Sequence, residues 1–181
     1  MSRLTVCTRE QPRVPLLMTE DGDEITRCLG DVGVRFERWT ASRPLASGAS
    51  QDDVLLAYAV EVERLKAEGG YQAADGIRLS PDHPQKVALR AKFLDEHTHA
   101  EDEVRFFVEG QGLFYLHIDQ RVFMVLCCQG DLISVPADTT HWFDTGPEPD
   151  LTAVRLFTNP EGWVARYTGS DMATRFPKMD D

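Results

Sequence analysis

The stretch "DEHTHAEDEVRFFVEG", residues 95–110, combines two histidines, several carboxylates and a glycine. Side chains at even separations along an extended strand lie on the same face. His97 and His99 therefore point to the same side, and Glu103 shares that side if no bulge intervenes. Two imidazoles and one carboxylate can thus converge on one point, as the ligands of a metal ion do.

A second stretch, "SVPADTTHWF", residues 134–143, contributes a fourth candidate, His141, just after a predicted strand and a proline turn. An antiparallel hairpin arrangement would bring it beside the first stretch. Three neutral imidazoles and a carboxylate suit Fe(II), Ni(II), Mn(II) or Zn(II) better than calcium or magnesium. Four ligands leave two positions of an octahedron open, and this indicates oxygen chemistry on a chelating enediol or diketone.

The composition narrows the class of protein. The formal net charge is -11 and no basic stripe is present, which argues against a nucleic-acid partner. No run approaches the roughly 18 apolar residues of a membrane span, and "MSRLTVCTREQPR" lacks the apolar core of a signal peptide. We expect a cytoplasmic protein without a membrane partner, and, since no face is unusually apolar, a monomer.

The chain of 181 residues suits one domain, and its pattern changes along its length. Residues 19–33 and a segment from Ser50 to Gly69 have helical periodicity, whereas residues 34–39 alternate as a strand. From about residue 76, five β-rich runs follow one another: "VRFFVE", "GLFYLHI", "RVFMVL", "DLISVP" and "TAVRLF". We expect helices first and strands after, with an irregular tail, residues 159–181, wrapping over the strands. The predicted unit is a single domain, 1–181, in which a largely helical portion, 1–75, packs on a metal-binding barrel core, 76–158.

Both histidine stretches resemble the motifs of the cupin superfamily. The first motif is matched at His97, His99, Glu103 and Gly110, with Ala91 in place of its leading glycine, and the second at Gly130, Pro136 and His141. In the second, Asp138 replaces a glycine and Thr145 an asparagine. The resemblance implies a mainly β protein with N-terminal helices, built on a cupin-type β-barrel, which is an antiparallel double-stranded β-helix of the jelly-roll type.

A narrower resemblance covers most of the chain. The stretches "GVRFERW", "HPQKVALRAKFLDEHTHAEDEVRFFVEGQGLFYLHI", "GDLISVPADTTHWFD" and "VRLFTNPEGWVARYTG" are similar to the bacterial acireductone dioxygenase family of methionine salvage. The family implies one Fe(II) or Ni(II) ion per chain, with acireductone (1,2-dihydroxy-3-keto-5-methylthiopentene) and O2 as substrates. With Fe(II) the implied products are 4-methylthio-2-oxobutanoate and formate; with Ni(II) they are 3-methylthiopropanoate, formate and carbon monoxide.

Carried over residue by residue, the resemblance makes His97, His99, Glu103 and His141 the metal ligands. A guanidinium beside the metal would favour the ionised form of an acireductone, and Arg105 is the candidate by position and by resemblance. The alternative for Arg105 is a surface arginine paired with an acidic neighbour.

Further candidates are weaker, and each has a structural alternative. Arg155, in the run "AVRLF", is a second inward cation or half of a structural ion pair. Glu96 and Asp102 have a role in metal incorporation or conformational change, or belong to a solvated acidic loop. Candidates to line a slot for the methylthio tail, or else plain core aromatics, are Phe93, Phe107, Phe143 and Trp163.

Two other functions stay open at this point. The ligand set alone fits another metal-dependent cupin enzyme, such as a sugar isomerase or a different dioxygenase. A binding module with a purely structural metal is disfavoured, because structural sites more often close with thiolates in tetrahedral geometry. The four cysteines, Cys7, Cys28, Cys127 and Cys128, form neither a disulfide framework nor a Cys-x-x-Cys site.

Overall fold

A computed structural model of the chain describes residues 1–39, 45, 49–159 and 163–181. Within them the chain forms eleven strands and five helices, numbered in chain order. None of the helices in these ranges is long and apolar enough to cross a membrane. The four cysteines are free thiols, of which Cys7 and Cys127 are buried.

The eleven strands form two antiparallel layers that share one long strand, β6 (Glu103–Ile118). The C-terminal half of β6 belongs to what we call the first layer. Its order is β2 (Pro15–Thr19), β1 (Arg3–Thr8), β7 (Arg121–Cys128), β6, β9 (Thr140–Asp144), β5 (His97–Thr98) and β11 (Arg166–Tyr167). The N-terminal half of β6 belongs to the second layer, with the order β3 (Arg35–Arg38), β8 (Asp131–Val135), β6, β10 (Leu151–Phe157) and β4 (Ala73–Leu79). This mostly β, cupin-like architecture confirms the expected fold class.

The change of layer within β6 takes place at Gly110. Its φ of +73° lies in the left-handed region, which L side chains rarely adopt. A Cβ at this position would also overlap the carbonyl oxygen of Asp150, the residue before β10. Only glycine therefore satisfies both the turn and the close approach of the neighbouring strand, and this explains the last glycine of the first motif.

Strand alternation decides which side chains of β6 face the space between the layers. Val104, Phe106 and Val108 point outward and pack under the helices α2 (Gln51–Ala57) and α3 (Ala59–Gly69). Glu103 and Arg105 take the opposite side, inside the barrel. The first half of β6 thus separates a helix-covered outer face from a polar inner face.

The N-terminal helices form largely where the sequence predicts them. Helix α1 (Gly22–Gly30) is capped by the Asp21 side chain, which accepts a hydrogen bond from the Glu24 amide at 2.8 Å. Helix α2 begins with a capping box between Ser50 and Asp53. The expected single helix over this region is interrupted at Tyr58, whose φ of -112° and ψ of 24° separate α2 from α3.

The expected order of helices first and strands after is wrong in two places. Strands β1 and β2 precede α1, and β1 pairs with β7 along the whole of its length, so the N-terminus belongs to a barrel layer. A further helix, α4 (Lys86–Leu94), interrupts the strand region. These short elements lack strong periodicity of their own, and pairing or packing with distant residues determines them.

The tail is more regular than expected. Strand β11 pairs with β5, and helix α5 (Met172–Arg175) with Phe176 packs on the outer face of the first layer, whereas residues 160–162 lie outside the described residues. The division of a single domain into a portion 1–75 and a core 76–158 stays a prediction.

Candidate metal centre

The four predicted metal ligands come together inside the barrel from three strands and a loop. His97 lies on β5, directly opposite His141 on β9, and Glu103 begins β6. His99 follows β5 by one residue. All four residues are buried, and one potential ligand atom from each lies within 4.8 Å of the others.

Hydrogen bonds to backbone carbonyls orient the three imidazoles. The Nδ1 atoms of His97, His99 and His141 lie 2.6 Å, 3.1 Å and 2.8 Å from the carbonyl oxygens of Asp95, Val164 and Thr139 respectively. A carbonyl can only accept, so each Nδ1 carries a proton and each Nε2 is the atom left to bind a metal. Fixing the tautomer in this way is how proteins prepare histidines as metal ligands.

Glu103 is the negative centre of the cluster. Its Oε2 lies 3.1 Å from Nε2 of both His99 and His141, and its Oε1 accepts a hydrogen bond of 2.8 Å from Arg105. Burial works to raise the pKa of this carboxyl, but the Arg105 charge and the two imidazoles hold it well below its usual value. The residue is therefore ionised despite being almost fully buried.

The pKa values of His97 and His141 are shifted in opposite directions. Burial, assisted by the nearby His141 and His99, lowers the pKa of His97 to about 4, so this ring is neutral at physiological pH. Burial also acts to lower the pKa of His141, but its hydrogen bond to Glu103 outweighs this and the pKa is raised. In the metal-free protein a proton on Nε2 of His141, facing the carboxylate, is thus favoured.

The donor set fits a transition-metal cation. One carboxylate oxygen and three Nε2 lone pairs face one another, with their other atoms already engaged by the protein. This mixed nitrogen and oxygen set suits a divalent transition metal. The absence of thiolates from the cluster separates it from the common structural zinc sites.

Arg105 lies beside the cluster in an unusual environment. Its guanidinium carbon is 4.4 Å from the centre of the Phe143 ring, 5.2 Å from Phe114 and 5.7 Å from Trp163. Its buried Nε has no hydrogen-bond partner among the described residues. An unpartnered buried donor is costly, and it therefore indicates a site for an anionic or polar ligand.

The ligands and Arg105 form one wall of a cavity of about 350 Å³. Four further candidates also lie in its lining: Phe93, Phe143, Arg155 and Trp163. Phe107 does not lie in the lining. It is fully buried in the core, with its ring centre 6.4 Å from that of Phe143.

Five other residues of the cavity wall could not be recognised from the sequence. Asp75, on β4, holds Arg155 through two hydrogen bonds of 2.8 Å and 2.6 Å. The remaining lining residues that the sequence did not suggest are Lys92, Phe157, Ala165 and Tyr167. Asp75, Phe157, Ala165 and Tyr167 are distant in sequence from the motifs, and the β4–β10 pairing and the tail bring them to the cavity, whereas Lys92 lies on α4, just before the His97 segment.

The acidic residues Glu96 and Asp102 are close in sequence to the ligands but do not lie in the cavity lining. The buried Glu96 carboxylate lies 3.0 Å from Nδ1 of His117 and accepts a hydrogen bond of 2.7 Å from the Thr168 hydroxyl. Asp102 accepts a hydrogen bond from the Ala137 amide at 2.9 Å, and its carbonyl accepts another from Trp163 Nε1 at 3.1 Å. Glu96 thus joins the tail to β6, and Asp102 joins the two motif segments.

The motif departure at Asp138 preserves the backbone that glycine would supply. Its φ is +59°, within the left-handed region, which aspartate tolerates better than most residues. Its amide donates to the His99 carbonyl at 2.8 Å and so couples the turn to the ligand segment.

Fold and site together define a class: a metal-binding protein of the cupin type, with three histidines and one glutamate around a cavity. A family model described as the ARD/ARD' family matches residues 20–165. The chain belongs to this family.

Proteins named acireductone dioxygenase are similar to this chain over nearly its whole length. An acireductone dioxygenase of Pseudomonas aeruginosa is 60% identical over 181 residues, covering all of both chains. One from Hahella chejuensis is 57% identical over 180 residues, or 99% of this chain and 97% of its own. A solved acireductone dioxygenase from Bacillus anthracis, with a cadmium ion in its active centre, superposes with a TM-score of 0.81 at 32% identity. That match covers 92% of this chain and 98% of the relative.

Proposed function

We propose that this protein is an acireductone dioxygenase, which cleaves 1,2-dihydroxy-3-keto-5-methylthiopentene with O2 in methionine salvage. The observation that carries the proposal is the cluster of His97, His99, Glu103 and His141 with Arg105 hydrogen-bonded to its carboxylate, all in the wall of one cavity. The full-length identity with enzymes of that name supports the choice of reaction over other cupin chemistries.

The four ligands would hold one Fe(II) or Ni(II) ion per chain. When bound, such an ion supplies a Lewis acid for a chelating enediol and a redox-active centre for O2. The cadmium in the active centre of the Bacillus anthracis relative supports a divalent cation at this place. Both candidate ions suit these ligands, so availability in the cell would decide which is bound.

Arg105 would act on the protonation state of the substrate. An enediol becomes a strong electron donor when it loses its protons, and a neighbouring guanidinium stabilises the resulting anion. The unpartnered Nε and the low exposure of Arg105 make this interaction strong, because few water molecules compete for it. The Glu103 contact and the aromatic rings hold the guanidinium in one orientation.

The apolar part of the cavity would accept the methylthio tail. Phe93 and Phe143 lie with their ring centres 6.4 Å apart, and Trp163 packs at 4.7 Å from Phe157 on another part of the lining. These rings exclude water from the reacting end of the substrate. With Fe(II), the expected products are 4-methylthio-2-oxobutanoate and formate; with Ni(II), they are 3-methylthiopropanoate, formate and carbon monoxide.

The test is to load metal-free protein with Fe(II) or Ni(II) separately and add acireductone in air. We expect O2 uptake with formate in both cases and carbon monoxide only with Ni(II). His97→Ala should lose both metal and activity, whereas His83→Ala, which alters a histidine of a proline-bounded turn, should retain both. If neither metal gives O2 uptake above the protein-free rate, the proposal is wrong.

Three finer points stay predictions. Glu96 and Asp102 would support metal incorporation or conformational change through the contacts described above. A monomeric state and a cytoplasmic location are the other two.

A further inference from the structure

Three charged residues lie in one row across the inner face of the second layer. In the strand register, Asp75 on β4 is directly opposite Arg155 on β10, and Arg155 is directly opposite Arg105 on β6. Directly opposed residues on one face of an antiparallel pair have their Cβ atoms about 5 Å apart. The row thus reads negative, positive, positive, and all three side chains line the cavity.

Two arginines in adjacent positions of a row repel each other, and like charges directly opposite destabilise a strand pair. Each arginine has one carboxylate partner: Glu103, two residues away on the same strand as Arg105, and Asp75, on the strand beyond Arg155. In the strand register Arg105 and Arg155 are directly opposed with no carboxylate between them, so the space that they share has a surplus of positive charge. An anion with several oxygens, placed between them, would relieve this repulsion.

The Asp75 contact determines how Arg155 presents its donors. Asp75 binds Nε and Nη2 together, which occupies one edge of the planar guanidinium. The opposite edge, with both Nη1 hydrogens and one Nη2 hydrogen, remains available. The Phe157 and Trp163 rings, each 5.3 Å from the guanidinium carbon, further restrict its movement.

Building on the proposed function, we propose that Asp75 is a positioning residue for the substrate. It holds Arg155 beside Arg105, so that the two guanidiniums form one subsite for the anionic oxygens of the enediolate. Asp75 does not contact the substrate in this arrangement. Its effect passes entirely through Arg155.

Steady-state kinetics of metal-loaded protein test this role. Asp75→Asn keeps the shape but weakens the charged contact, and we expect KM for acireductone to rise about tenfold, the scale of a charge-assisted hydrogen bond, with little change in kcat. Asp75→Glu should restore most of the loss. A merely structural role would instead lower kcat, or the metal content, at unchanged KM.

A double-mutant cycle tests the route through Arg155. Asp75→Ala should raise KM in the wild-type background and cause no further loss in Arg155→Ala protein, because its effect passes through Arg155. The matched control is Asp150→Asn, which weakens another ion pair to β4, between Asp150 and Arg78 at 2.7 Å, outside the cavity. This control should behave as wild type.

Calorimetric binding of oxalate to Ni(II)-loaded protein gives a readout that needs no turnover. As a small chelating dianion, oxalate should bind about tenfold more weakly to Asp75→Asn than to wild type. If wild-type protein fails to consume acireductone but this loss is seen, the proposed reaction is wrong and the anion subsite stands. Unchanged oxalate affinity in Asp75→Asn, or an undiminished effect of Asp75→Ala in the Arg155→Ala background, would overturn the role of Asp75.

Discussion

Replacing Arg90 with methionine should destabilise the protein, because it removes the charge partner of a fully buried carboxylate. Arg90 lies on α4 and binds Asp144, at the end of β9, through two hydrogen bonds of 2.7 Å and 3.0 Å. The Asp144 side chain is 0% exposed and that of Arg90 is 16% exposed. Methionine keeps much of the aliphatic volume and removes only the guanidinium.

The size of the effect follows from what remains around Asp144. Removing one partner of a buried ion pair costs about 3–5 kcal/mol, since it leaves an uncompensated charge. Here the Gly146 and Met179 amides still donate to the carboxylate, at 2.8 Å and 3.0 Å. We therefore expect a loss of about 2–3 kcal/mol in the free energy of unfolding near neutral pH.

The loss should depend on pH. Burial acts to raise the pKa of Asp144, but Arg90 and the two amides outweigh it and lower the pKa in the folded wild-type protein. A lowered folded-state pKa contributes stability above the unfolded pKa of about 3.9, and this stability is lost as the pH falls through the folded value. Without Arg90, burial raises the pKa, and the folded variant takes up a proton as the pH falls. The difference between the two proteins should therefore be largest near neutrality and shrink toward about pH 4.

Urea unfolding followed by circular dichroism, near neutral pH and at about pH 4, measures the free energy of unfolding and its pH dependence. A chelator in the buffer removes any contribution from bound metal. The matched control is Arg13→Met, which removes an exposed pair with Asp181 at 3.2 Å and should cost less than about 1 kcal/mol. A loss for Arg90→Met as small as that of the control, or a loss that is equal at both pH values, would refute this account of the pair.

Other predictions concern metal retention, the bend in β6 and the cavity wall. Glu103→Gln should release most of the metal on dialysis, since the site loses its only anionic ligand; metal per chain by atomic emission checks this, and retention at the wild-type level contradicts it. Gly110→Ala should cost at least about 2 kcal/mol in urea unfolding, because φ is positive and Asp150 is too close; a smaller loss means that the bend can relax. Gly112→Ala should force the Phe143 ring to move and raise KM severalfold with the fold retained; unchanged KM would mean that the ring does not limit the cavity.

The clustering of the four candidate ligands could be predicted only in part from local sequence. Strand alternation predicts His97, His99 and Glu103 on one side of a single strand, but in the structure β5 ends at Thr98 and Glu103 begins β6, so the motif spacing, which also adds His141, was the stronger signal. The same alternation placed Arg105 beside them. The relation between Glu103 and Arg105 needs only the extended backbone of β6, whereas the turn between His99 and Glu103 is not marked by alternation.

Alternation could not separate the cavity from the core. Phe107 has the same parity as Glu103 and Arg105 and faces inward as they do, but it lies further along β6, where the barrel is filled. Depth along a strand depends on where the layers close. That closure is decided by pairings such as β6 with β10 and β8, which join distant segments.

Helix α4, which the sequence did not predict, is held by a polar contact as well as by partly buried apolar residues. None of the residues of α4 is fully buried, and its first turn lacks a side-chain cap, so neither periodicity nor a capping signal marks it. Nevertheless α4 supplies Phe93 to the cavity, and its Arg90 binds the strand that carries His141. Leu89 and Phe93 pack against the core but are only partly buried, so the Arg90–Asp144 pair also helps to fix the position of the helix. The cavity wall on this side therefore depends on the ion pair that Arg90→Met removes, and the same variant should raise KM for acireductone as well as lower stability.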